Sequence, residues 1–78
     1  MNQVILILKD EAPRIINVAD SHKSMRWLTS DRVEVELEIE IAIIKYETGE
    51  LINYAYATNI DDLSPAQIRE AYQEAIRQ

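Results

Sequence analysis

Residues 32–41, RVEVELEIEI, place a carboxylate at every second position and a β-branched residue or leucine between them. Val33, Val35, Leu37, Ile39, Ile41 and Ile43 hold strict period two. A strand gathers such a set onto one face, whereas a helix would scatter it around its circumference. The pattern predicts one long strand of about 13 residues, roughly 43 Å at the usual rise, unless a bulge breaks it near Ile41. Its opposite face carries Glu34, Glu36, Glu38 and Glu40, then turns apolar at Ala42, Ile44 and Tyr46.

The rest of the chain supplies partners for that strand. VILIL, residues 4–8, is five apolar residues without alternation, which suits a strand buried on both faces. DEAP follows as a turn, and RIINV, residues 14–18, returns. Val4 to Lys9 paired antiparallel with Arg14 to Val18 is therefore the expected first hairpin. Residues 19–31 read as a long connection containing a helical turn, with Asp20 or Ser21 as its cap and Met25 and Leu28 on one side. Alternation of Met25 and Trp27 would instead make a stub of strand.

After the glutamate strand, YETGE turns the chain and LINYAYAT brings it back. If Ile52, Tyr54 and Tyr56 share a face with Ile39, Ile41 and Ile43, opposite residues must differ in parity, and the loop must hold an even number of residues. A four-residue loop, Tyr46 to Gly49, meets this and puts glycine where a left-handed residue is needed. It predicts Ile43 opposite Ile52 and Ile41 opposite Tyr54.

The final segment, LSPAQIREAYQEAIRQ, has the signals of a helix start. Ser64 is the N-cap, Pro65 the first helical residue, Gln67 the return half of a capping box, and Leu63 with Ile68 a hydrophobic staple. Ile68, Ala71, Tyr72, Ala75 and Ile76 then form one apolar stripe. Residues 1–78 thus read as a single α+β domain: a four-stranded, mainly antiparallel sheet with a C-terminal amphipathic helix packed on one face. One helix cannot cover both sides of the sheet. Either residues 19–29 cover the second face, or a second copy of the chain does, using the apolar end made by Ala42, Ile44, Tyr46 and Leu51.

Little in the chain points to catalysis. Asp20, Ser21 and His22 are adjacent in one segment, whereas a nucleophile, base and orienting acid must converge from different directions. With one histidine and no cysteine, a zinc site would need an otherwise all-carboxylate ligand set. Asp61 and Asp62 match no calcium loop and sit where they favour the positive end of the helix dipole. A single glycine cannot build a phosphate cradle. No enzyme activity, metal or cofactor is expected. The longest apolar runs are too short to cross a bilayer, and no basic leader resembling a signal peptide precedes one, so a soluble, cytoplasmic protein is expected.

Charge narrows the partners. The net charge is −6; residues 13–32 sum to +2, while residues 33–78 sum to −7. Such a surface repels nucleic acid and anionic lipid and attracts basic proteins. Arg14, Lys23, Arg26 and Arg32 with Trp27 are too thin a basic set for nucleic-acid binding; Trp27 reads as a core plug and the arginines as partners of neighbouring acids. The four glutamates would lie about 6.7 Å apart along the strand, repelling by only about 0.6 kcal/mol per neighbouring pair before screening. They read either as a solvated face that discourages edge-to-edge aggregation or as a linear array resembling a nucleic-acid backbone. In size, acidity and sheet-plus-helix pattern the chain looks like small phage or mobile-element proteins that bind a host protein. The resulting expectation is a non-enzymatic inhibitor or modulator docking on a basic groove of a nucleic-acid-handling protein through Glu34, Glu36, Glu38, Glu40 and Tyr46. The competing expectation is a self-associating accessory subunit, a homodimer with a solvated acidic face.

Overall fold

A run of five apolar residues needs cover on both faces, and three layers supply it in the computed structural model, which describes residues 2–19 and 23–77. The elements are β1 (Asn2–Ile7), β2 (Arg14–Val18), β3 (Ser24–Leu28), β4 (Glu34–Glu38), β5 (Glu40–Lys45), β6 (Leu51–Thr58) and α1 (Pro65–Ile76). The middle layer is a four-stranded sheet of order β2-β1-β6-β5. β3 and β4 form a separate hairpin.

β1 divides its side chains between the two outer layers. Ile5 and Ile7 join Ile44, Tyr54, Ile68 and Ala71 in the cluster that includes α1. Val4, Leu6 and Leu8 join Leu37 and Ala57, with Met25, Trp27 and Val35 of the hairpin packed around them. Val4 and Leu6 are 0% and 1% exposed, and full burial of a side chain of this size stabilises by about 1.5–3 kcal/mol. The second face is thus covered by residues 24–38, within the same chain.

The first hairpin forms antiparallel, but its first strand runs Asn2–Ile7 rather than Val4 to Lys9, with Val4 opposite Ile16 and Leu6 opposite Arg14. The sheet itself is mixed rather than mainly antiparallel: β1 pairs β6 in parallel, Ile5 beside Tyr56 and Ile7 beside Thr58. β1 is central and needs a partner on each edge. Once β2 holds one edge, the strand that closes the other arrives late in the chain, and in this topology it runs the same way.

The expected helical turn in residues 19–31 gives way to β3, in which Met25 and Trp27 alternate inward. β3 pairs β4, with Trp27 opposite Val35 and Arg26 opposite Glu36. Burial of a large aromatic against the sheet outweighs the weak local helix signals. The proposed cap at Asp20 or Ser21 lies outside the described residues.

The long glutamate strand divides. At Ile39 the chain leaves the hairpin layer, its amide donating to the Lys23 carbonyl at 2.9 Å, and continues as the edge strand of the main sheet. Inward residues are odd in β4 and even in β5. Leu37 and Ile44 are buried, whereas Ile41 and Ile43 are each 63% exposed and Val33 is 55% exposed. The core set expected from period two is therefore only partly realised. From Ile41 to Ile44 both parities are apolar, so a one-residue shift of face costs no polar burial.

The β5–β6 turn explains the shift. The Tyr46 amide donates to the Glu50 carbonyl and the Gly49 amide to the Tyr46 carbonyl, both at 2.9 Å, with Gly49 at φ 87°. This is a three-residue loop with a left-handed bulge residue, not the expected four-residue loop. Its odd length pairs like parities: Ile44 faces Ile52 and Ala42 faces Tyr54, in place of Ile43 with Ile52 and Ile41 with Tyr54. Glycine does occupy the left-handed position. The β3–β4 turn has the same bonding, Thr29 amide to Val33 carbonyl and Arg32 amide to Thr29 carbonyl, but there Arg32 holds φ 63°.

The start of α1 matches its sequence signals. Ser64 and Gln67 make both halves of the capping box, and Leu63 and Ile68 meet in one apolar cluster. The stripe fades along its length, since Ile68 and Ala71 are buried while Ile76 is 55% exposed. The expected dimer patch is also redistributed: Ala42, Ile44 and Tyr46 pack in the cluster that includes α1, and Leu51 alone of that group is exposed.

Two stability measurements check this register. By denaturant midpoint at low protein concentration, Ile44→Ala should cost about 2–5 kcal/mol and Ile43→Ala within about 0.5 kcal/mol of nothing; equal costs would contradict the face assignment. Arg32→Gly should stabilise by up to about 1 kcal/mol by relieving the left-handed strain, and Gly49→Ala should destabilise by a similar amount, since no neighbour lies within 4 Å and the backbone angle alone opposes the methyl.

Candidate functional site

Alternation decides where the hairpin's charges go. Because Met25, Trp27, Val35 and Leu37 turn toward the sheet, Glu34, Glu36 and Glu38 turn to solvent, and all three are exposed. Arg26 shares that outer face. Its guanidinium lies 3.6 Å from the Glu34 carboxylate, an exposed pair worth about 0–1 kcal/mol. Among the described residues, Glu36 and Glu38 make no ion pair.

Glu40 does not continue the row. The change of layer at Ile39 puts it on β5, opposite Tyr56. Tyr46 is farther removed. It packs in the cluster under α1, its hydroxyl hydrogen-bonded to that of Tyr54 and the Arg69 guanidinium 5.7 Å from its ring centre. The structure therefore brings three of the five expected contact residues onto one face, places Glu40 at its margin, and sends Tyr46 into the core on the other side of the sheet.

Two further acids restore the convergence. Asp61 and Asp62, from the segment between β6 and α1, line the same cleft as Glu36, Glu38 and Glu40, with Tyr56 in its wall and a volume of about 430 Å³. Asp62 reaches this position through a left-handed backbone, φ 58°, a conformation that aspartate tolerates better than most residues. Sequence alone had read Asp61 and Asp62 as neighbours of the helix start. Their meeting with β4 depends on the parallel β1–β6 pairing, which nothing local encodes.

Two tyrosines of β6 resist ionisation. Burial pushes the Tyr56 hydroxyl up, and the Glu40 carboxylate opposite it on β5 adds to the effect. Tyr54 is pushed up to about 12, by burial first, then by its hydrogen bond to Tyr46 and the charges of Tyr46 and Tyr72. The Tyr54 and Tyr72 rings meet at 4.9 Å between centres, tilted by 52°, a geometry that favours edge-to-face contact.

The basic residues are occupied differently. The Arg14 guanidinium lies 5.5 Å from the Trp27 ring centre, while Trp27 packs on the buried cluster below, so an aromatic face that stacking on a base would need is already shared. His22, with Asp20 and Ser21, lies outside the described residues. Among the described residues no group of three or more acidic, histidine or cysteine side chains is placed to hold a metal ion, and no helix is long and apolar enough to cross a membrane. No family model matches this chain, and comparison with curated proteins and with solved structures found no match.

The tyrosines set a pH dependence. A hydroxyl whose pKa is raised by folding stabilises the fold fully below the ordinary value of 10.0 and loses that contribution as pH climbs through the folded value. Denaturant midpoints should therefore fall between about pH 10 and the Tyr54 value of about 12, and Tyr54→Phe should flatten part of that fall. A wild-type profile level across the window would contradict the assignment.

Proposed function

We propose that the chain is a non-enzymatic, cytoplasmic protein-binding module that docks on a basic surface of a nucleic-acid-handling protein and so inhibits or modulates it. The observation that carries this reading is the convergence of Glu36, Glu38, Glu40, Asp61 and Asp62, from three separate segments, on one open cleft. Exposed like charges gathered in this way leave a negative potential that favours an oncoming Lys or Arg and speeds its approach. A straight imitation of a phosphate row fits less well, because Glu34 is partnered by Arg26 and Glu40 stands in another layer. A cleft of this kind suits a projecting basic side chain or a short basic loop, with Tyr56 offering an aromatic wall for cation–π contact.

Charge reversal tests it. The double variant Glu36→Lys/Glu38→Lys alters two exposed positions and should keep the wild-type circular dichroism. Binding to the basic, heparin-retained protein fraction of a cell lysate should weaken by at least about tenfold, equivalent to about 1.4 kcal/mol, and wild-type binding should fall steeply as salt rises. Unchanged binding by the variant at both low and high salt would end the reading.

A further inference from the structure

We infer that the open edge of β5 is a self-complementary interface at which a second copy of this chain extends the sheet across a two-fold axis. Among the described residues β5 has one hydrogen-bonded neighbour, β6. The Tyr46 amide bonds to Glu50, so the even positions 44 and 42 are those bonded to β6. Ile41, Ile43 and Lys45 consequently turn their N–H and C=O groups to the free edge. Two of them, Ile41 and Ile43, are each 63% exposed, as is Leu51 beside them on β6, on the part of the face that the β3–β4 hairpin leaves uncovered.

Edges of this composition are normally blunted by charge, proline or bulges. The other edge, β2, follows Pro13 and starts at Arg14. β5 has Lys45 alone on its exposed face, at one end. Contiguous exposed apolar patches often mark interaction sites on soluble chains.

Symmetry selects the occupant and the register. Antiparallel pairing about a two-fold axis normal to the sheet keeps each face on its own side, so opposite residues must share parity. Centring the axis on Ala42 sets Ile41 opposite Ile43 of the second copy, and the reverse, gathering four isoleucines on one face and pairing the exposed backbone groups of Ile41 and Ile43 in both copies. The residue on the axis belongs to a non-hydrogen-bonded pair, where Cα atoms approach to about 4.5 Å, and alanine fills that position without a clash. No like charges fall opposite each other. Pairing is confined to the centre of the edge, because the Ile39 amide at its far end is already bonded to the Lys23 carbonyl. The inference does not rest on the acidic cleft, because the Glu36 and Glu38 variants leave the open face of β5 untouched.

Sedimentation equilibrium of the full chain, at concentrations up to hundreds of micromolar, should show reversible dimerisation of the 9.0 kDa chain. Ile43→Lys, at an exposed site, should weaken it by at least about tenfold. The chain has no cysteine, so Ala42→Cys should oxidise readily to a covalent dimer, the expected Cα separation lying within disulfide range, while Glu70→Cys on α1 should not. A wild-type chain that stays monomeric throughout, a dimer indifferent to Ile43→Lys, or equal cross-linking at both cysteines would overturn the assignment.

Discussion

The fold depends on a strand that has no solvent face. Val4 to Leu8 are all at or below 7% exposure, and neither α1 nor the β3–β4 hairpin could bury them alone. A chain of 78 residues has little apolar area to spend on redundancy. Both outer layers are therefore obligatory, and each lies close to the strand it covers. Ala57, 0% exposed, sits beside Leu6 in the sheet, and its small side chain makes room for Leu37 to descend from the hairpin.

That demand also arranges the charge. The hairpin can turn Trp27, Val35 and Leu37 inward only by turning Arg26 and Glu34 to Glu38 outward, since side chains alternate along a strand. The acidity of the outer face is thus a by-product of burial before it is anything else. The step at Ile39 then reshapes that face. By moving Glu40 to the main sheet it bends the row of carboxylates into a concave group, and the parallel β6 delivers Asp61 and Asp62 to its far side.

Beneath α1 the chemistry is different. Tyr46, Tyr54 and Tyr72 fill the space between helix and sheet with rings while satisfying two of their hydroxyls on each other. Arg69 lies over one ring, its stem covering apolar surface as such side chains do. The even face of β5 is consumed by this packing. Its odd face, with Ile41 and Ile43, is left over at one edge of the sheet.

Sequence by itself determined what local physics can specify. The capping box at Ser64 and Gln67, the left-handed glycine at 49, the first hairpin and the two-sided burial of residues 4–8 each follow from a short pattern with one low-energy solution. Period two from Val33 to Ile39 likewise settled which glutamates face solvent. Tertiary structure decided the rest. Residues 41–44 are apolar at both parities, so their face was set by the turn's odd length and the helix's need for Ile44, not by their own pattern. Trp27 joined a strand because the sheet required a cover. The acidic cleft was legible only in part, as Glu36 and Glu38, because Asp61 and Asp62 reach it through a parallel pairing between segments some fifty residues apart (Ile5 with Tyr56). Local free-energy preferences do not reach that far along a chain; burial of a shared core does.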